Sequence, residues 1–261
     1  MTMSHLLGAA LTGALLVGLA GCGALDRRLG DPCTVEVGDD EREFDREEAM
    51  AATTVAAAGS LRGAPEAAVA TVLDRVLAND AAATDVKSAA TAYESVSLES
   101  RPSNDSLALA GVLLGSNGPA LSCRASVDAT TREDEAADGL TPRAGRMLER
   151  VKVAFGNLPT GGYAPGGVSS GHVEGSAHYE GRAVDVFLRP VNLENRRRGW
   201  VLAQWAVAHA EQLELATVIF DDHIWTAGRS GSGWRDYRPG GDPDNEVLRH
   251  LEHVHLDVVR D

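Results

Sequence analysis

The C-terminal segment 253–258 constrains the fold more than any other stretch, because polar and apolar side chains alternate along it. In an extended strand, residues two apart share a face, so His253, His255 and Asp257 point to one side. The aliphatic residues between them point to the other side, into a core. Polar side chains on such a strand are costly to bury unless they meet a metal, a partner or water. The polar face of this strand is therefore the predicted functional site.

A second polar stretch, residues 176–185, reads SAHYEGRAVD and offers further metal-binding groups. Zn²⁺ binds imidazole nitrogen and carboxylate oxygen, and a catalytic site holds the ion with three protein ligands while a fourth position stays open for water. His178, Asp185 and His255 would form such a set. The other histidines lack ligand spacing to these motifs and are expected to be structural or exposed: His172, His209, His223 and His250.

The overall charge of the chain excludes one class of partner. The formal net charge is -14 and the pI is near 5.0, whereas nucleic-acid binding requires clustered Lys and Arg. Hydrophobic residues make up 44% of the chain and charged residues 24%, which is ordinary for a globular protein. We therefore expect a folded, acidic protein that does not bind nucleic acid.

The N-terminus carries a predicted export signal. Residues 6–21 are almost wholly apolar or small and too short for a comfortable membrane-spanning helix. The residues 19–22, LAGC, resemble a bacterial lipobox, in which the cysteine is acylated and becomes the mature N-terminus. No Lys or Arg precedes Arg27, so a plain signal peptide or an apolar anchor stays open as an alternative. We predict a signal peptide over residues 1–21 and a lipid on Cys22, which would anchor the protein in the membrane at the extracytoplasmic face of the cell envelope.

The two remaining cysteines suit an exported protein. Cys33 and Cys123 can form a disulfide in an oxidising compartment, closing a loop of roughly 90 residues, which in the chain-entropy model stabilises the fold by about 4–5 kcal/mol. Two buried thiols are the alternative.

Hydrophobic spacing and turn residues divide the chain into a helical part and an α+β part. We predict an Ala-rich helical domain over residues 22–125, an acidic linker over 126–140 and a domain over 141–261 with helices outside a small, mainly antiparallel sheet. The run 107–114 fits either a helix or a strand. The predicted helices cover 47–58, 65–78, 85–96, about 141–156 and about 193–213, and the predicted strands include 217–220 and 223–225.

The motif Ser-x-His-x-x-Gly-x-Ala-x-Asp, followed by a late His-x-His, resembles the zinc D-alanyl-D-alanine carboxypeptidase family. That family, of VanY-like fold, includes vancomycin-resistance dipeptidases and carboxypeptidases and several phage endolysins. The likeness covers residues 141–261 and is greatest to a little-characterised variant found as a C-terminal domain in exported bacterial proteins. The variant's features are an Ile-Trp pair, a Gly-Trp-Arg loop and a terminal His-Val-His, which fall at 224–225, 233–235 and 253–255.

The resemblance implies roles for individual residues. It makes His178, Asp185 and His255 the Zn²⁺ ligands and Glu252, three positions before the last ligand, the general base. In a regular strand Glu252 would face away from His255, so this role requires a bend or a bulge before His253. His253, on the correct face, is the rival for proton transfer or for oxyanion support.

Two further side chains near the first motif have expected roles. Ser176 is expected to fix its loop by hydrogen bonding. Arg182 is expected to be a surface charge rather than a clamp for an oxyanion or a carboxylate.

The implied activity is hydrolysis of an amide bond in peptidoglycan stem peptides by a zinc metallopeptidase. The helical half loosely resembles lysozyme-like modules, but no Glu stands at the end of its second helix, so such a module would be inactive. The competing hypothesis is a non-catalytic envelope lipoprotein that binds cell-wall peptide or a protein partner.

Overall fold

The structure is a computed structural model that describes residues 32–78, 83–95, 101–126 and 131–260. The predicted signal peptide and Cys22 lie outside these residues. From Asp31 onward the chain forms a single compact unit. No helix within the described ranges is long and apolar enough to cross a membrane.

In the described residues of the N-terminal half there are four helices, as the Ala-rich composition predicts. They are α1 (Arg46–Arg62), α2 (Glu66–Leu77), α3 (Val86–Glu94) and α4 (Asn104–Leu113). Helix α1 begins with a reciprocal capping box between Asp45 and Glu48 and ends at Gly63, which adopts the left-handed conformation. The ambiguous run 107–114 is helical because Ser103 caps α4 and is itself held by two hydrogen bonds to Asp74.

A small antiparallel sheet closes this half. It contains β1 (Cys33–Val37), β2 (Asp40–Phe44) and β3 (Leu121–Cys123) in the order β2-β1-β3. Cys33 lies directly opposite Cys123, and the two form a disulfide, which confirms the predicted pairing.

A six-stranded antiparallel sheet forms the second half. Its order is β4-β5-β9-β6-β7-β8, so the C-terminal strand β9 lies in the middle of the sheet. The strands are β4 (Thr160–Gly161), β5 (Ala183–Phe187), β6 (Leu215–Phe220), β7 (His223–Thr226), β8 (Arg235–Asp236) and β9 (His253–Val258). The predicted hairpin is formed by β6 and β7. Its turn consists of Asp221 and Asp222, both with positive φ, as tight two-residue turns require.

Helices cover the apolar face of this sheet. Helix α5 (Pro142–Phe155) begins at the N-cap Thr141 and helix α6 (Leu193–Ala208) at the N-cap Asn192, and both pack against β9. The aliphatic residues of β9 are fully buried. The structure therefore confirms the α+β fold class, with small antiparallel sheets and flanking helices.

The helical half and the six-stranded sheet share one hydrophobic core. Helix α1 packs against α6, and the buried Gln204 of α6 accepts hydrogen bonds from the backbone of Leu121 and donates one to Val112. Trp225 and Trp234 donate hydrogen bonds to carbonyl groups in β3 and so connect the two parts. The division at residues 126–140 stays a prediction.

Candidate metal centre

The pairing of β5 with β9 builds the polar face that strand parity predicts. Asp185 lies directly opposite His255, and Phe187 lies opposite His253. Directly opposite residues in an antiparallel pair point to the same face. The carboxylate of the first motif and the histidines of the second therefore meet on one side of the sheet.

A single turn of 3₁₀ helix, Ala177–Glu180, brings His178 to the same face. Ser176 caps this turn and accepts a hydrogen bond from the backbone N–H of His178 at 3.4 Å, which confirms its expected role in fixing the loop. Gly181 ends the turn with φ +61°, and a Cβ there would lie 2.6 Å from the carbonyl oxygen of Gly139. The residues of the motif therefore supply, in order, the cap of the turn, the turn itself, the glycine that ends it and the start of β5.

Three ligand-type atoms converge at the centre of this face. His255 Nδ1 lies 3.1 Å from Asp185 Oδ1 and 3.1 Å from His178 Nε2, and the latter two atoms are 3.2 Å apart. All three side chains are buried. Three ligands of a tetrahedral Zn²⁺ at about 2.0–2.1 Å would be separated by about 3.3 Å. The edges of this triangle therefore fit a divalent ion of that size.

The outer nitrogens of both imidazoles already have acceptors. His178 Nδ1 donates to the carbonyl of Gly162 at 2.8 Å, and His255 Nε2 donates to Asp257 Oδ2 at 3.3 Å. When a cation occupies the centre, the nitrogens that face Asp185 offer their lone pairs to it and carry no proton, whereas without a cation hydrogen bonds to Asp185 take the place of these metal bonds. Such outer-shell acceptors are typical partners of metal-binding histidines. The donor set fits a cation at the centre of the triangle.

The pKa shifts of Asp185 and His255 also indicate that the centre of the triangle attracts a positive charge. Burial raises the pKa of Asp185, but hydrogen bonds from His178 and His255 outweigh burial and hold this pKa well below its ordinary value. Burial lowers the pKa of His255, but hydrogen bonds with Asp185 and Asp257 outweigh it and raise this pKa to about 9. The cluster therefore favours a positive charge at its centre.

His253 lies beside the triangle with one nitrogen unused. Its Nε2 is 3.7 Å from Asp185 Oδ1, and its Nδ1 is buried without a hydrogen-bond partner among the described residues. Burial lowers the pKa of His253, which keeps its ring neutral at pH 7. A neutral, buried imidazole with a free nitrogen can exchange a proton with a bound molecule.

Glu252 is paired with a cation. Arg189 Nε and Nη2 donate to the two carboxylate oxygens at 2.6 and 2.5 Å, and Glu252 Oε1 lies 3.8 Å from His253 Nδ1. The chain bends at residues 251–252, directly before β9 begins, as the assignment of Glu252 to the site requires. Arg189 was not among the candidate site residues, since its pairing with Glu252 depends on the β5–β9 register.

His172 also lies at the site. It was expected to be structural or exposed, but its ring contacts the ring of His178. Its half-buried ring stacks on the ring of His178 with centroids 3.9 Å apart. Ligand atoms of His172, His178 and Asp185 all lie within 4.8 Å of one another, a group that could hold a metal ion. The one signal in the sequence is that His172 belongs to the Gly-rich loop leading into the first motif.

The remaining residues singled out from the sequence lie as follows. His250 is near the cluster, with its ring centroid 4.6 Å from that of His253. His209 stacks on Trp205 in the core, and His223 hydrogen-bonds to the backbone of the β6–β7 turn. Arg182 is not a free surface charge, because its side chain pairs with Glu180 and donates to a carbonyl of β9.

One comparison with known proteins gives a match. Residues 136–248 are similar to the family described as VldE, C-terminal domain. The matched stretch covers less than half of the chain; it includes His178 and Asp185 and ends before Glu252 and His255. No curated protein and no solved structure matches the chain.

Proposed function

We propose that this protein is a cell-envelope lipoprotein whose sheet domain is a zinc metallopeptidase-like hydrolase of amide bonds in peptidoglycan stem peptides. The observation that carries the proposal is the triangle of His178 Nε2, Asp185 Oδ1 and His255 Nδ1 with edges of 3.1–3.2 Å. The resemblance of the two motifs to zinc D-alanyl-D-alanine carboxypeptidases supports the reaction class and the substrate class.

These three residues would hold the metal. Bound Zn²⁺ supplies Lewis acidity, lowering the pKa of water from 15.7 toward about 7 and polarising a carbonyl. The chain keeps the donor atoms ready: Gly162 and Asp257 fix both ring orientations from outside. The ligands are therefore held in place by hydrogen bonds and burial before an ion arrives.

Glu252 is the proposed general base and His253 the residue that assists it. Arg189 fixes the Glu252 carboxylate next to the site by a paired, two-point contact. His253 stands between the two carboxylates, with Nδ1 3.8 Å from Glu252 Oε1 and Nε2 3.7 Å from Asp185 Oδ1, so its ring can pass a proton between the base and the metal site.

Metal analysis combined with digestion of purified wall peptides tests the proposal. The full-length chain should bind about one Zn²⁺, and His255→Ala should lose it. Glu252→Gln should keep the metal and lose about 10²–10⁴-fold in cleavage rate, as removal of a general base does. Glu194→Gln, at the exposed start of α6, is the matched control and should change neither. Undiminished cleavage by Glu252→Gln would remove Glu252 as the base.

A non-catalytic binding protein is the second candidate, and one observation favours it. Arg189 engages both oxygens of Glu252, so the carboxylate is free to act as a base only after this pair opens. In that case the protein would bind wall peptide, or a protein partner, with its metal present, and leave every amide intact. Full metal loading with no cleavage of any stem peptide would support this candidate and contradict the first.

The cellular location is a further part of the proposal. The Cys33–Cys123 disulfide suits an oxidising compartment, and the lipobox-like LAGC sequence supports acylation of Cys22. Labelled fatty acid should be incorporated into the chain in a bacterial host and should be absent from a Cys22→Ala variant. Equal labelling of both chains would rule out Cys22 as the lipid attachment site.

A further inference from the structure

His172 lies beside the proposed three-ligand site, next to two of its three ligands. Its ring stacks on the ring of His178 at an interplanar angle of 22°, with centroids 3.9 Å apart. Its nearest ligand atom lies within 4.8 Å of those of His178 and Asp185, compared with the 3.1–3.2 Å edges of the triangle. A shift of the loop toward the triangle would bring it to ligand distance.

The backbone of His172 is fixed by the motif itself. Its N–H donates to the hydroxyl oxygen of Tyr179 at 2.9 Å, and the same hydroxyl donates to the carbonyl oxygen of His172. Tyr179 directly follows His178 in the 3₁₀ turn. One side chain therefore ties the loop to the segment that carries a proposed ligand, which is more than chance proximity of a surface histidine would provide.

We infer that His172 is a fourth, exchangeable protein ligand of the divalent-ion site and closes it in the resting protein. A Zn²⁺ site with four protein ligands is closed, whereas a catalytic site keeps one position open for water or substrate. With His172 bound, the donor set is three imidazoles and one carboxylate. Displacement of the loop would restore the open position.

This inference rests on the proposed function, because it concerns regulation of the same metal site. If His172 closes the site, a substrate must displace the Gly-rich loop that carries His172 before it can reach the metal. Gly166, Gly167, Gly171 and Gly175 all have positive φ, and no Cβ contact restricts Gly166, Gly171 or Gly175. The backbone around His172 is thus built from residues that tolerate several conformations.

X-ray absorption spectroscopy of the Zn²⁺-loaded full-length chain tests the inference by counting bound imidazoles. The unmodified protein should give three imidazoles and His172→Ala two, with Zn²⁺ affinity lowered by about 10-fold or more, at least the loss that removal of an outer-shell partner produces. Tyr179→Phe keeps the aromatic ring but removes both hydrogen bonds to His172, so it should lower the occupancy of the third imidazole.

His223→Ala is the matched control, since His223 is half-buried and lies on the β6–β7 hairpin away from the cluster. It should keep three imidazoles and the original affinity. Two imidazoles in both the unmodified protein and His172→Ala would overturn the role of His172 and leave the proposed function standing. Absence of bound metal in the unmodified protein would overturn both proposals.

Discussion

Gly162 lies against the ring of His178, so replacing this glycine with alanine tests whether His178 is a metal ligand. Gly162 has φ +80°, and a Cβ added there would lie 2.2 Å from Cε1 and 2.4 Å from Nδ1 of His178. Real contacts of this kind are not that short, so the ring must move in Gly162→Ala. The ring is buried and His172 is stacked on it, which leaves little room for a small adjustment.

The size of the effect follows from two separate contributions. An L-residue at positive φ costs about 1–2 kcal/mol, which lowers the unfolding temperature by about 2–8 °C for a chain of this size. Displacing His178 also disturbs its 2.8 Å hydrogen bond to the Gly162 carbonyl, an outer-shell contact of the kind worth about 10–100-fold in metal affinity.

Gly166→Ala separates these contributions. Gly166 has φ +84°, and nothing lies within 4 Å of a Cβ there. Without metal, both variants should show the stability loss of a residue at positive φ, and Gly162→Ala should lose more because the His178 ring must also move. Only Gly162→Ala should lose affinity for Zn²⁺, measured by competition with a coloured chelator. Equal Zn²⁺ affinities in the two variants would refute the assignment of His178 as a ligand held by Gly162.

Two further predictions concern stability. Burial against Trp205 lowers the pKa of His209 to about 4, so the unfolded chain binds the extra proton first and stability present above pH 6.5 is lost as the pH falls toward 4. The loss in the free energy of unfolding, measured with urea, should reach up to about 3 kcal/mol. The loss should be smaller in His209→Gln, and an equal loss in the variant and the unmodified protein would contradict the role of His209 burial. Replacing both Cys33 and Cys123 with Ser should cost about 4–5 kcal/mol in the same assay because the disulfide closes a loop of 90 residues, and a cost below about 1 kcal/mol would contradict a stabilising role for it.

Periodic features of the fold could be predicted from the sequence. The strand β9 follows from strict alternation over six residues, and its partner strand brings Asp185 to face His255 because opposite residues share a face. Helices with apolar spacing and clear caps were also predictable. The helical structure of residues 107–114 could not be predicted from the local sequence, because the N-cap of α4 is held by Asp74 from another helix.

The parts of the site that sequence reasoning missed depend on contacts between irregular segments. His172 reaches His178 because Tyr179 binds its backbone, and no periodic pattern encodes the path of a Gly-rich loop. Arg189 reaches Glu252 from the end of the neighbouring strand, which depends on the register of two strands far apart in sequence. Residue type and spacing therefore predicted the proposed ligands, but not the side chains that orient or cover them.

The central claim is that His178, Asp185 and His255 hold one divalent ion. Anomalous diffraction at the zinc absorption edge from crystals of the Zn²⁺-loaded protein tests it most directly. We expect one peak at about 2.0–2.2 Å from His178 Nε2, His255 Nδ1 and Asp185 Oδ1. A crystal with no peak there, or with its zinc held by other residues, would contradict it.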